Sequence, residues 1–258
     1  MNNLAKILLG LSILSTSFEM NAQDSSSYDN IFPKGISLGY GIGNYAVTDE
    51  YISKEKYSGS LPFYEISWVK PHANYIYHLS INYQNSSKIK NNNVSTNIYQ
   101  FSINQGFNYA LPKFTLFDKE AYTYLGPSTE LFFYYNQQNI AVSGFDYAQS
   151  YAVLISGSIN SHIYYLLTKD FNIEGSLGFS IISLGFRMVD MEETDDSPVK
   201  ILTLFSGTNL NFRLGIRYFM LNNLSLKASY LFHFTRISSW NPLLAASDNI
   251  VFTMTYGF

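Results

Sequence analysis

The sequence predicts an all-β fold: a transmembrane antiparallel up-and-down β-barrel of about ten strands, with eight and twelve as the alternative counts. Three observations lead there. Apolar and polar residues alternate with a period of two in segment after segment, while sustained 3.6-residue periodicity is scarce. Aromatic residues make up 17% of the chain, with 22 Tyr and 20 Phe, yet only 14% of residues are charged. A soluble domain draws on about 25% charged residues to suit its surface to water. The links between the alternating segments are themselves alternately long and short.

Taken in order, the first 22 of the 258 residues have the form of a signal peptide. Lys6 supplies the positive charge, residues 7–14 a short apolar stretch, and Met20-Asn21-Ala22 a cleavage site before Gln23. The apolar run is well short of the roughly 18 residues of a spanning helix, so cleavage is expected rather than anchoring. Residues 23–34 are expected as a periplasmic lead-in and 35–258 as the barrel. Strands are expected over 35–45, 63–70, 75–85, 96–109, 122–136, 151–166, 171–184, 203–220, 224–237 and 249–258. Ten is an even number, as bacterial single-chain barrels require, and most segments reach the roughly 9–11 residues needed to cross at a tilt. Links 46–62, 137–150 and 185–202 follow odd-numbered strands and are long. Links 71–74, 167–170 and 221–223 follow even-numbered strands and are tight, with 110–121 the exception. Outer loops and periplasmic turns alternate in this way, which places both termini on the periplasmic side.

Alternation alone does not separate a lipid-facing barrel from a soluble lipocalin-like one, whose apolar residues point inward. Composition of the two faces does. Along the ninth strand Leu224, Leu226, Ala228, Tyr230, Phe232 and Phe234 oppose Ser225, Lys227, Ser229, Leu231, His233 and Thr235. A water-facing surface would be dense in Lys and Glu. Small polar residues suit a narrow lumen, and aromatic rows suit lipid and its interfaces.

At the C-terminus Phe252, Met254, Tyr256 and Phe258 alternate with Val251, Thr253, Thr255 and Gly257. This resembles the terminal strand of bacterial outer-membrane β-barrels, and the whole chain resembles the small barrels of Bacteroidota-type outer membranes. The resemblance implies residence in a Gram-negative outer membrane, contact with its lipid and lipopolysaccharide, and recognition of the last strand by the barrel-assembly machinery. It implies no single activity and carries over no catalytic residue.

Parity along each strand turns Glu65, His78, Glu130, His162, Glu174, Arg213, Arg217, Lys227 and His233 into the lumen. Counted from the periplasmic ends, His162, Glu174, Arg213, Arg217 and Lys227 gather in its lower half. Unpaired charges are costly in a poorly hydrated interior, so the arginines need carboxylates. Glu174 is the expected partner of Arg213 or Arg217, and Glu130 a second. Such a network fills and rigidifies a barrel this narrow, because ten strands enclose little more than their own side chains. The sharper alternative is a proton relay, gate or catalytic centre. Nearer the outer rim His233 is the best single candidate for chemistry, but a base needs a nucleophile and an orienting partner. No GxSxG, HExxH or paired-carboxylate motif supplies them. His72, in a turn, carries no signal.

No cofactor or metal is expected. The chain lacks cysteine, which excludes disulfides, thiolate sites and a lipoprotein anchor, and its net charge of −3 gives no nucleic-acid footprint. The acidic stretch 190–196 lacks the spacing of a calcium loop and is expected as a solvated loop. Residues 240–246, including Trp240, are apolar where solvent is expected; the barrel mouth, the membrane interface and a partner are all open to them. The function expected first is a narrow closed barrel with a structural or surface-interaction role. A small porin-like channel comes second, and an outer-membrane enzyme acting on lipid A or peptides third.

Overall fold

The computed structural model describes residues 34–258 apart from 73, 92–93, 143–144 and 188–196. The expected signal peptide over 1–22, the expected lead-in up to residue 33 and the acidic stretch 190–196 lie outside the described residues. Twelve strands follow one another: β1 (Gly35–Asp49), β2 (Ser53–Pro71), β3 (Tyr75–Lys90), β4 (Ser95–Ala110), β5 (Phe114–Leu116), β6 (Lys119–Val142), β7 (Phe145–Leu166), β8 (Phe171–Arg187), β9 (Val199–Thr203), β10 (Gly207–Leu221), β11 (Leu224–Ile237) and β12 (Leu243–Tyr256).

Ten of them close a barrel. All but β5 and β9 pair antiparallel in chain order, β12 returns to β1, and β10 pairs β8 across the β9 excursion. The ten-strand expectation stands and the counts of eight and twelve fall away. The link 110–121, too long for a minimal turn, folds β5 back on the start of β6 as a short hairpin. The expected single strand 203–220 is broken by a turn at 204–206, where the Ser206 amide donates to the Thr203 carbonyl at 3.0 Å. Before the break β9 pairs the last residues of β8, and after it β10 pairs the first. Register partners followed once round the wall from Gly185 return to β8 at Asn172, thirteen residues nearer the end that holds the termini. Closure of a barrel demands such a stagger, and it makes the strands steeply tilted.

Two links expected as long outer loops are mostly strand. β1 runs on to Asp49 and β2 begins at Ser53, leaving a turn of three residues, and β6 and β7 continue through most of 137–150. The physical reason is an inversion of face polarity. From Ile36 to Ile42 the outward face of β1 is Ile, Leu, Tyr and Ile, all exposed, while Ser37, Gly39, Gly41 and Gly43 point inward. Beyond that level Asn44, Ala46 and Thr48 point outward and Tyr45, Val47 and Asp49 are buried inside. The alternation is unbroken, but it changes from the pattern of a lipid-facing barrel to that of a water-soluble one.

The lumen is consequently filled in layers. At the end away from the termini Tyr45, Leu61, Phe132, Tyr134, Leu154 and Leu243, with further neighbours, form one buried apolar cluster. At the end near the termini Ile76, Tyr122, Tyr124 and Tyr164 form a second, smaller one. Polar side chains occupy the space between.

Candidate functional site

That polar layer surrounds a cavity of about 190 Å³ bordered by Glu65, Arg213, Glu174, His162, Glu130 and Gln84, among others. Nearest the termini, Arg217 of β10 reaches Glu174 of β8 with both ends of its guanidinium: Nε bonds Oε1, and a terminal nitrogen lies 3.2 Å from Oε2. Its remaining terminal nitrogen donates to Ser225 Oγ and Thr255 Oγ1, each at 2.8 Å, so every edge of the fork is used. Lys227 of β11 adds a second cation 3.3 Å from Glu174 Oε2. Cross-strand register explains the assembly, since Arg217 sits opposite Lys227 on one side and Asn172 on the other.

Higher in the lumen Arg213 forms a bidentate pair with Glu65 of β2, at 2.9 and 2.5 Å, spanning the barrel from β10. Of the two arginines offered to Glu174 by the sequence, Arg217 takes it, and Arg213 pairs with Glu65 where Glu130 was the second carboxylate expected. The two arginines lie on the same face of β10 but take different carboxylates, because Glu65 approaches from the opposite wall. Glu130 has no cation within 4 Å among the described residues; the side-chain amide of Asn211 lies 3.4 Å away across the lumen. His162 packs its ring 5.3 Å from that of His78, and its buried Nε2 has no hydrogen-bond partner among the described residues. His78 in turn donates from Nε2 to Asn104 Oδ1 at 2.7 Å and accepts at Nδ1 from Asn108 Nδ2 at 2.9 Å. Gly106, its cross-strand neighbour, leaves the room for that ring: a Cβ there would lie 2.7 Å from His78 Cε1.

His233 lies beside a hydroxyl, Thr235 Oγ1, at 3.3 Å, and its ring meets Phe132 edge-on at 5.6 Å. The Thr235 proton is given to Asn209 Oδ1 at 2.7 Å, which leaves that hydroxyl accepting from the imidazole. An imidazole that donates to a hydroxyl is not its general base, and no carboxylate orients the ring. Among the described residues no group of three His, Cys, Asp or Glu is placed to hold a metal ion.

Sequence reasoning missed a further buried ion pair, Asp49 with Arg187 at 2.5 Å, at the level of the apolar cluster. Asp49 also accepts from Ser150 at 2.7 Å and Tyr134 at 3.2 Å. Both residues fell in stretches expected as loops, although the period-two count from Tyr45 and Val47 reaches Asp49. The apolar loop finds its place in the mouth. Trp240 is buried in the same cluster, its indole N–H donates to the Ser197 carbonyl at 2.9 Å, and Lys200 Nζ lies 5.3 Å over its ring. The aromatic and apolar residues Phe252, Met254, Tyr256 and Phe258 are all exposed on the outer wall, and Val251, Thr253 and Thr255 are buried inside.

No protein-family model and no curated protein matches the sequence. Solved structures do resemble the chain in fold. The outer membrane protease OmpT of Escherichia coli superposes with a TM-score of 0.50 at 9% identity, over 88% of this chain and 97% of that one. The chain has the fold of an outer-membrane β-barrel. Two further matches have lower scores. The β domain of the Bordetella autotransporter BrkA gives 0.43 at 11% identity over 87% of this chain and 99% of that one. Neisserial surface protein A gives 0.38 at 11% over 88% and 99%. At such identities the likeness extends to fold alone.

Proposed function

We propose that the protein is an integral outer-membrane β-barrel of the narrow, closed kind, with both termini in the periplasm and a structural or surface-interaction role. Its outward faces carry the exposed apolar and aromatic band that lipid requires of a barrel. The observation that carries the closed reading is the packing of Tyr45, Leu61, Phe132, Leu202 and Trp240 across the lumen at the end away from the termini, each almost without solvent exposure. An aqueous channel needs a continuous polar path, and this cluster interrupts it. The paired charges further down serve to hold the wall at its narrow diameter.

Purified protein in planar bilayers is expected to give no steady single-channel steps. Reproducible steps would favour the small-channel alternative and sink the closed one. A protease site inserted in the turn 50–52 is expected to be cut on intact cells, and one at 222–223 only after the outer membrane is opened; the reverse would overturn the orientation. The exposed Phe258 is proposed as part of the assembly signal, so Phe258→Ser is expected to slow insertion by the assembly machinery without altering the folded barrel's melting. The Thr235 hydroxyl gives its proton to Asn209 and not to His233, so this pair supplies no activated nucleophile.

A further inference from the structure

The charges of the polar layer balance in number but not in place. Arg213 and Glu65 make one neutral pair. Glu174 already takes both ends of the Arg217 guanidinium, yet Lys227 also approaches it, at 3.3 Å, so two cations share one carboxylate. Glu130 is 3% exposed and has no cation within 4 Å among the described residues. One positive charge is therefore in surplus at the end of the cavity near the termini, and one negative charge at the other end. Lys227 and Glu130 both border the cavity. A buried ion is costly until a counter-charge meets it, and these two stand too far apart to meet each other. Glu130 lies against Asn211, whereas Lys227 reaches Glu174, the register partner of Gly215. Asn211 and Gly215 are four residues apart on β10, roughly 14 Å at ~3.4 Å per residue. Midway between them, His162, Ser176 and Arg213 are successive register partners on β7, β8 and β10, all partly exposed and all bordering the cavity. Asn82, Ser102 and Asn104 border it from β3 and β4.

We propose that the cavity holds a small zwitterion, a dipeptide, with its ammonium group on Glu130 and its carboxylate on Lys227. Arg217 neutralises Glu174, which leaves the Lys227 ammonium to take the carboxylate. With ~3 Å for a charge-assisted hydrogen bond at each end, a span of roughly 8 Å remains between the ligand's charges. Two extended residues cover about 7 Å, a free amino acid falls short, and a third residue overruns. The volume agrees. A cavity of ~150 Å³ encloses benzene, so about 190 Å³ suits a ligand somewhat larger than one six-membered ring. The middle of the cavity is lined by amides, hydroxyls and imidazoles, so a peptide group suits it better than a methylene chain of equal length. Such a ligand goes beyond the closed-barrel reading, and its direction of entry rests on that reading. The apolar cluster away from the termini is the larger of the two, so entry is from the other end, past Ile76, Tyr122, Tyr124 and Tyr164.

The test incubates the full folded chain in detergent with each probe, and separately refolds it in the probe's presence, with retention read by native mass spectrometry. Glycylglycine is expected to be retained best. N-acetylglycine, which lacks the ammonium group, and glycylglycinamide, which lacks the carboxylate, are each expected to bind about tenfold or more weakly, the strength of a hydrogen bond to a charged group. Glycine, too short, and 5-aminopentanoate, without a peptide group, are expected to be retained less. Glu130→Gln is expected to hold glycylglycine no better than N-acetylglycine, and Lys227→Gln no better than glycylglycinamide. A substitution that merely loosened the barrel would weaken all probes alike. Retention of no probe by either route, equal retention of N-acetylglycine or 5-aminopentanoate by the unaltered protein, or an unchanged preference in Glu130→Gln would each overturn the assignment. Planar bilayers separate the two readings. Single-channel steps that glycylglycine blocks would remove the closed barrel and leave the site, whereas silent bilayers without retention would remove only the site.

Discussion

Glu65→Gln isolates the electrostatics of the lumen better than any other single change. The Glu65 and Arg213 side chains are 4% and 17% exposed and are joined by two bonds of 2.9 and 2.5 Å. Among the described residues Arg213 Nε has no hydrogen-bond partner, so Glu65 supplies the bonds that the terminal nitrogens make. Removing one partner of a buried pair costs about 3–5 kcal/mol. Glutamine keeps an oxygen at the same place and returns roughly 1 kcal/mol through one hydrogen bond, which leaves an expected loss of about 2–4 kcal/mol. Arg213→Met should cost a similar amount, because it leaves Glu65 buried with its nearest cation gone. Replacing both, as Glu65→Met with Arg213→Met, removes two desolvated charges with their attraction and should cost less than either single change. The assay is urea unfolding in micelles, followed through Trp68 on the outer wall and Trp240 in the mouth, which also checks for a single transition. A single-variant loss below about 1 kcal/mol, or a double variant whose loss equals the sum of the singles, would refute the view that this pair braces opposite walls.

The same titration supplies a contrast at Glu130, which among the described residues faces side-chain amides and no cation: Glu130→Gln should change stability by no more than about 1 kcal/mol. Gly106→Ala should cost about 1–3 kcal/mol, since the new methyl meets His78 and Ser128 at 2.7 Å, whereas Gly157→Ala, with 3.5 Å to its nearest neighbour, serves as a neutral control. Trp240→Ala should cost about 3–5 kcal/mol by emptying part of the mouth cluster, read as a lowered urea midpoint. In the turn before β3, partial burial and then Lys70 hold the His72 imidazole below its ordinary range. His72 therefore favours the folded state above the unfolded histidine pKa, and that contribution is lost as the pH falls through the folded one. A proton titration by NMR should show the low value and a partial rise in Lys70→Gln.

The sequence revealed the wall more clearly than its contents. All ten barrel strands were legible because lipid on one side and a narrow lumen on the other impose opposite compositions on alternate residues. The inward positions of Glu65, Glu174, Arg213 and Arg217 follow from the same parity. Their partnerships do not, because parity says nothing about which opposite wall a long side chain reaches. Arg213 lies on a strand next to Glu174 yet bonds Glu65, whose strand is four pairings away through β11, β12 and β1. Asp49 and Arg187 were hidden, and the placement of Trp240 left open, for another reason. They lie beyond the band, where outward residues turn polar and the apolar rows that marked the strands come to an end.

That change of polarity governs what the barrel can do. Within the band the outer wall needs apolar side chains, so the inner wall is left to small polar residues and paired ions, and space remains between them. Above the band the outer wall meets water and the inner wall becomes a core like that of a soluble protein, which closes on itself. A barrel built this way does not need a folded-in loop to seal it, because the continuation of its own strands supplies the stopper. The loop at 240 adds to a core that Tyr45, Leu61, Phe132 and Leu154 already define from four separate strands. Opening such a lumen would require those strands to separate, a global cost rather than the movement of a single lid. On the proposed closed reading, the surfaces left to meet other macromolecules are on the outside of the barrel.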